Sequence, residues 1–195
     1  LIDFVVELKK QKEEIEKLES NISGTLQVLM PKLAEVKKLK NKTTFTPDAN
    51  STLRLTYGFI KGYEPADAVF YKPITTLDGI IEKSFMGGEY AVPDKLKTAY
   101  QQKDFGRFYD EKAGGVPVAI LYNTDTTGGN SGSPILNAKG ELIGVNFDRA
   151  FEATINDFAW DDAYSRSIGV DIRYVLWVAK TIGNADNVLN ELGVK

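Results

Sequence analysis

At Thr43 the chain changes its period, and this change limits what it can fold into more than any other feature. Before it, Val5, Leu8, Ile15 and Leu18 recur at helical spacing with Lys and Glu between them. After the cap and breaker residues Ser20-Asn21-Ile22-Ser23-Gly24, the period resumes with Leu26, Leu29, Leu33, Val36 and Leu39. The spacing predicts two helices, the second kinked or restarted at Pro31. Lys37, Lys38, Lys40 and Lys42 read as a solvated face that complements the helix dipole. Beyond Thr43 come short β-branched and aromatic runs divided by Gly, Pro and Asn/Asp: Thr52 to Tyr57, Val116 to Tyr122, Ser133 to Leu136 and Glu141 to Phe147. These predict an antiparallel β domain. Asn137-Ala138-Lys139-Gly140 reads as a hairpin turn, Ser167 to Val170 as a last strand, and Ile172, Val175, Leu176 and Ala179 as a closing helix.

With 195 residues, 43% of them hydrophobic, the chain can bury a core for one compact domain plus an appendage. The formal charge of -3 gives no general attraction to nucleic acid or anionic membranes. The apolar start Leu1 to Val6 is interrupted by Asp3 and followed at once by charged residues, which is neither a signal peptide nor a membrane span. It begins inside a periodic pattern and without Met, so we expect a truncated N-terminus. The chain contains no Cys and no His. The second absence weighs more, because His is the commonest general base, and any chemistry needing an imidazole must import it.

The run Thr127-Gly128-Gly129-Asn130-Ser131-Gly132-Ser133-Pro134 has the composition of a nucleophile loop. A serine that attacks a carbonyl needs a backbone that presents its hydroxyl outward while N–H groups converge on the developing oxyanion. Glycines on both sides of Ser131 permit that, with the N–H groups of Gly129 and Ser131 as donors. The loop lies between the apolar run Val116 to Tyr122 and a hairpin, as in chymotrypsin-like enzymes, and not at a strand-to-helix elbow. Without His the chain by itself is expected to be nearly inert.

Four blocks resemble one family in order: Pro47 to Gly58, Thr127 to Pro134, Gly140 to Gly144, and Arg166 to Leu176. The family is that of bacterial dipeptidyl-peptidases with a chymotrypsin-like double barrel and an inserted α-helical domain. The resemblance implies a mainly β fold with helices, divided into residues 1–44, the end of the helical domain, and 45–195. The latter would be a six-stranded antiparallel C-terminal barrel closed by a helix. It also implies a periplasmic or cell-surface homodimer that releases dipeptides from free peptide N-termini, with no metal, no cofactor and no membrane insertion.

Asn146-Phe147-Asp148-Arg149 follows the hairpin, where such folds bind substrate backbone and wall the specificity pocket. Adjacent side chains on a strand point to opposite sides, so Asp148 and Arg149 can serve different subsites. By the resemblance, Asp148 pairs with the substrate's terminal ammonium and Arg149 selects Asp or Glu before the scissile bond, a role that suits a planar guanidinium. The alternatives are the same reaction with an apolar or broad preference, and a non-catalytic barrel that keeps the serine loop but has lost its partner residues. Asp161-Asp162 completes no calcium loop and reads as a surface turn.

Overall fold

A computed structural model describes residues 2–41 and 52–194. Lys42, the 44/45 boundary and the Pro47–Ser51 part of the first family block lie outside the described residues. The chain divides into two compact units, residues 1–54 and 55–195.

Among the described residues the first unit holds one helix, α1 (Ile2–Asn41), where two were expected. The polar stretch at Ser20 to Gly24 is absorbed because Thr25 Oγ1 donates back to Asn21 O at 2.8 Å, so hydroxyl and carbonyl are satisfied inside the helix instead of ending it. Pro31 lies within the same helix and deprives it of one backbone donor. One lost bond among 40 helical residues leaves the cooperative run intact. The apolar residues from Val5 to Leu39 that set the period are exposed.

The second unit begins with the strands β1 (Tyr63–Ala66), β2 (Val69–Tyr71) and β3 (Ile74–Thr76), followed by the helices α2 (Leu77–Ser84) and α3 (Asp94–Gln101). Then come β4 (Pro117–Tyr122), β5 (Pro134–Leu136), β6 (Leu142–Arg149), β7 (Ser167–Asp171), α4 (Ile172–Trp177) and α5 (Asp186–Glu191). Five strands form one antiparallel sheet in the order β3-β4-β7-β6-β5, and β1 and β2 form a separate antiparallel pair. The β5–β6 hairpin turns where the sequence indicated. Asn137 Oδ1 accepts from the N–H groups of Lys139 and Glu141 at 2.9 and 3.0 Å, and the Gly140 N–H donates to Asn137 O at 2.9 Å.

Thr52 to Tyr57 is not a strand. Leu53, Leu55 and Tyr57 are 99%, 87% and 88% exposed, so alternation is present without a covered face to reward it. The segment meets the sheet at Phe59, whose N–H donates to Asn123 Oδ1 and whose carbonyl accepts from the Asn123 N–H at 3.1 Å. The closing helix stops earlier than expected. Asp171 caps α4 by accepting from the Arg173 N–H at 2.9 Å, and the chain then widens into a π turn over Val178–Ile182 before α5.

The main core gathers Leu77, Leu96, Phe108, Val116, Trp177 and Leu189, so the helices clamp the start of β4. Fully buried Trp177 satisfies its indole N–H on Asp104 O at 2.8 Å. Two arginines tie the sheet to its surroundings. Arg173 grips both oxygens of Asp171 at 2.9 and 2.8 Å and also donates to Asp110 Oδ2. Arg166 is buried, lies over the Tyr63 ring and donates to the carbonyls of Lys61, Gly62, Asp162 and Ser165. It joins the entry of β1 to the turn before β7. Asp161-Asp162 is a turn, as read, and Asp162 also accepts from Lys61 Nζ at 3.1 Å and Asn123 Nδ2 at 2.8 Å.

Candidate active site

The loop between β4 and β5 holds its shape through a short chain of hydrogen bonds. The Asn130 N–H donates to Thr127 O at 3.1 Å, its side-chain oxygen accepts from the Thr127 N–H at 2.8 Å, and the Ser133 N–H donates to Asn130 O at 3.1 Å. Gly129 and Gly132 take φ values of 96° and 87°, a region that costs an L side chain strain, and no neighbouring atom crowds either position. Conformation, not space, therefore requires glycine on both sides of Ser131. Ser131 is exposed, and among the described residues the N–H groups of Gly129 and Ser131 meet no acceptor. Two unpaired donors next to an outward hydroxyl can receive an oxyanion.

Strand β6 carries the other half of the site. The buried Asn146 accepts from the Tyr122 hydroxyl through Oδ1 and donates through Nδ2 to Asn130 O at 3.1 Å. Its backbone accepts from the Gly132 N–H at 2.8 Å and donates to Ser133 O at 2.9 Å. Both side chain and backbone thus serve the serine loop, so Asn146 supports that loop. Burial pushes the Tyr122 phenol far above its usual range, so it stays a donor. Opposite β7, Asn146 pairs with Gly169 and Asp148 with Ile168, which leaves Phe147 as the extra residue of a bulge. Its carbonyl accepts from Ser131 Oγ at 3.3 Å, and its ring is half exposed.

Past the bulge, Asp148 is exposed and Arg149 is more sheltered, consistent with side chains on opposite sides. Asp148 Oδ1 accepts from the Arg149 N–H at 2.8 Å. The Arg149 guanidinium donates through both terminal nitrogens to Asp157, at 3.0 and 2.9 Å. Asp157 ends the 3-10 helix Phe151–Asp157, and its Oδ1 also accepts from Thr127 Oγ1 at 3.3 Å. The hydrogen bond from Arg149 holds the Asp157 carboxyl below the ordinary carboxylate range. Asp125 lies close enough to feel Arg149 and Asp157. Crowding by neighbouring atoms, although its surface remains open to water, pushes its carboxyl up, and Arg149 opposes that shift. Among the described residues no group of metal-ligating side chains gathers.

Residues 1–194 match the Peptidase S46 family. The chain belongs to the peptidase S46 family. An Asp/Glu-specific dipeptidyl-peptidase of Porphyromonas gingivalis is 52% identical over 149 residues, 76% of this chain and 21% of that protein. A protein named dipeptidyl-peptidase 7 of Phocaeicola vulgatus is 47% identical over 149 residues, 76% of this chain and 20% of that one. The crystal structure of Porphyromonas endodontalis DPP11 in complex with the dipeptide Arg-Asp superposes with a TM-score of 0.74 at 44% identity, over 81% of this chain and 23% of that chain. The chain therefore spans between about a fifth and just over a quarter of the length of the curated relatives it matches. The family expected from the four sequence blocks is the one found, and the mixed helix and antiparallel sheet resembles the DPP11 structure.

The structure adds three features that sequence reading missed. The loop-supporting role of Asn146 depends on a tyrosine and a loop residue that meet only through the β4–β7–β6 sheet order. The bulge at Phe147 leaves no mark in a run of alternating residues. Asp157 lies eight residues after Arg149, and the 3-10 helix that returns it to the guanidinium carries no sequence signal comparable to a capped α-helix.

Proposed function

We propose that this chain is the C-terminal part of a serine dipeptidyl-peptidase that removes dipeptides from free peptide N-termini and prefers Asp or Glu before the scissile bond. The single observation that carries the reading is the exposed Ser131 beside the unpaired N–H groups of Gly129 and Ser131, one bulge away from Arg149. The Ser131 oxygen attacks the carbonyl carbon as its proton passes to a base, and the two N–H groups receive the oxyanion. The peptide C–N bond then breaks, the leaving amine takes the proton, and water hydrolyses the acyl-enzyme. The base comes from outside this chain, since the chain has no His. Asp148, exposed at the bulge, pairs with the substrate ammonium, and Arg149 pairs with the acidic side chain. On this reading the five-stranded sheet is part of the C-terminal six-stranded barrel of a double barrel, and α1 is the end of a helical domain (residues 1–44). Its exposed apolar stripe packs on helices elsewhere in the protein. The enzyme works in the periplasm or at the cell surface as a homodimer, without metal or cofactor.

The test is hydrolysis of fluorogenic dipeptidyl substrates by the full-length protein. Acidic substrates should be preferred, Arg149→Gly should relax the preference, and Ser131→Ala should abolish turnover and labelling by a fluorophosphonate. Preference for Leu over Asp and Glu in the unaltered protein would overturn the role of Arg149. One observation favours that second reading, an apolar or broad preference: Arg149 already has a carboxylate partner in Asp157.

A further inference from the structure

The guanidinium that is to read an acidic substrate is gripped by a carboxylate of its own chain. Arg149 gives one N–H from each terminal nitrogen to Asp157, at 3.0 and 2.9 Å, an end-on bidentate pair. A guanidinium has five N–H donors in a planar fork, so the edge formed by Nε and the outer N–H of a terminal nitrogen remains. Among the described residues Nε–H meets no acceptor. A second carboxylate can therefore be taken side-on while the first keeps its place. The Arg149 side chain is 21% exposed and the Asp157 side chain 48%, so the guanidinium is sheltered while the carboxylate behind it reaches water. Asp157 Oδ1 also accepts from Thr127 Oγ1 at 3.3 Å, and Thr127 opens the serine loop through its N–H bond to Asn130 Oδ1 at 2.8 Å. One carboxylate thus connects the arginine to the loop that carries the nucleophile.

Resting on the reading of Arg149 above, we propose that Asp157 is the positioning residue of the acidic-specificity pocket. It holds the guanidinium end-on, in register with the serine loop, and leaves the Nε edge free for the substrate carboxylate. The physical gain is preorganisation. An arginine side chain has several rotatable bonds, and one that must be ordered when the substrate arrives binds it more weakly than one already fixed. The fixed arm serves only substrates that use the guanidinium, so its loss should be felt by acidic substrates alone.

The experiment uses the full-length enzyme with dipeptidyl substrates carrying Asp, Glu or Leu before the cut. Asp157→Asn should raise KM for the Asp and Glu substrates about tenfold, equivalent to about 1.4 kcal/mol. It should change kcat by less than about twofold and leave the Leu substrate unaffected, because Asn keeps a side-chain oxygen for Thr127 and only ground-state placement of the acidic side chain is lost. Asp157→Glu should recover part of the loss. In an Arg149→Gly background Asp157→Asn should add nothing, as expected of two residues acting through one interaction. Equal losses on all three substrates would mean a merely structural role and overturn the proposal. So would an unchanged KM, or a fall in KM for the acidic substrates, which would make Asp157 a competitor for Arg149. If the unaltered enzyme shows no acidic preference, or Arg149→Gly keeps it, the reading of Arg149 itself fails. That result is distinct from an Asp157→Asn enzyme that behaves like its parent while Arg149→Gly does not.

Discussion

Asn146 commits its side chain to two partners, the Tyr122 hydroxyl and Asn130 O, and its backbone to two more in the serine loop. Shortening it to Ala leaves the buried Tyr122 hydroxyl without its acceptor and Asn130 O with one donor fewer. An unsatisfied buried polar group costs about 1–3 kcal/mol, so Asn146→Ala should lower the unfolding free energy by about that amount in a denaturant titration. Because the same bonds set the height of Ser131, kcat of the full-length enzyme should fall by more than KM rises. A variant that loses stability but keeps kcat would show that the loop holds its shape through Asn130 alone. Gly129 and Gly132 belong to the same scale. Their need for glycine was readable from the loop composition, and their φ values of 96° and 87° give the reason.

At the scale of elements, β7 carries a constraint that concerns space. A Cβ on Gly169 would lie 2.2 Å from Ile135 Cδ1 and 3.2 Å from Val145 O, so β5 and β6 close over that position. Ile135 can turn away, but the Val145 backbone cannot, and overpacking of this kind costs about 1–3 kcal/mol. Gly169→Ala should therefore lower the melting temperature, and an unchanged value would mean that the sheet has more slack than its geometry shows. The joint between β7 and α4 is electrostatic. Backbone N–H bonds from the 110–115 turn, then Arg173, hold the Asp110 carboxyl below the ordinary range. A carboxyl with a depressed folded pKa adds stability above its unfolded value of about 3.9 and loses it as pH falls through the folded value. Asp110→Asn should be less stable than the parent at neutral pH, and the gap should narrow below about pH 4 in acid unfolding followed by circular dichroism.

For the whole molecule, the decisive fact is what one chain can and cannot assemble. It presents an exposed serine, two unpaired N–H groups, a carboxylate and a guanidinium around one loop and one strand, yet it contains no His. We expect the isolated chain to show only background labelling by a fluorophosphonate, while the full-length protein is labelled at Ser131 and the Ser131→Ala form is not. In serine proteases, loss of a triad member leaves only about 10³ to 10⁴-fold catalysis over water. Rapid labelling of the isolated chain would mean that a base other than His is at work.

The sequence by itself determined the elements whose signals are local. These are the change of period at Thr43, the strands β4 to β7, the Asn137–Gly140 turn, the glycines that flank Ser131 and, through the four blocks, the family. Only the tertiary structure decided the rest. Thr52 to Tyr57 has the alternation of a strand but no covered face, and the polar stretch before Thr25 has the residues of a helix end but bonds back into α1. The short elements β3, α2 and α3 owe their places to partners distant in sequence, β4 for the strand and the core around Trp177 for the helices. The supports of the site, Asn146 beneath the loop and Asp157 behind Arg149, are polar residues whose partners are brought by sheet order and a 3-10 return. Hydrophobic period and turn chemistry are written into neighbouring residues. The direction of a hydrogen bond across a sheet is set only when the chain has closed upon itself.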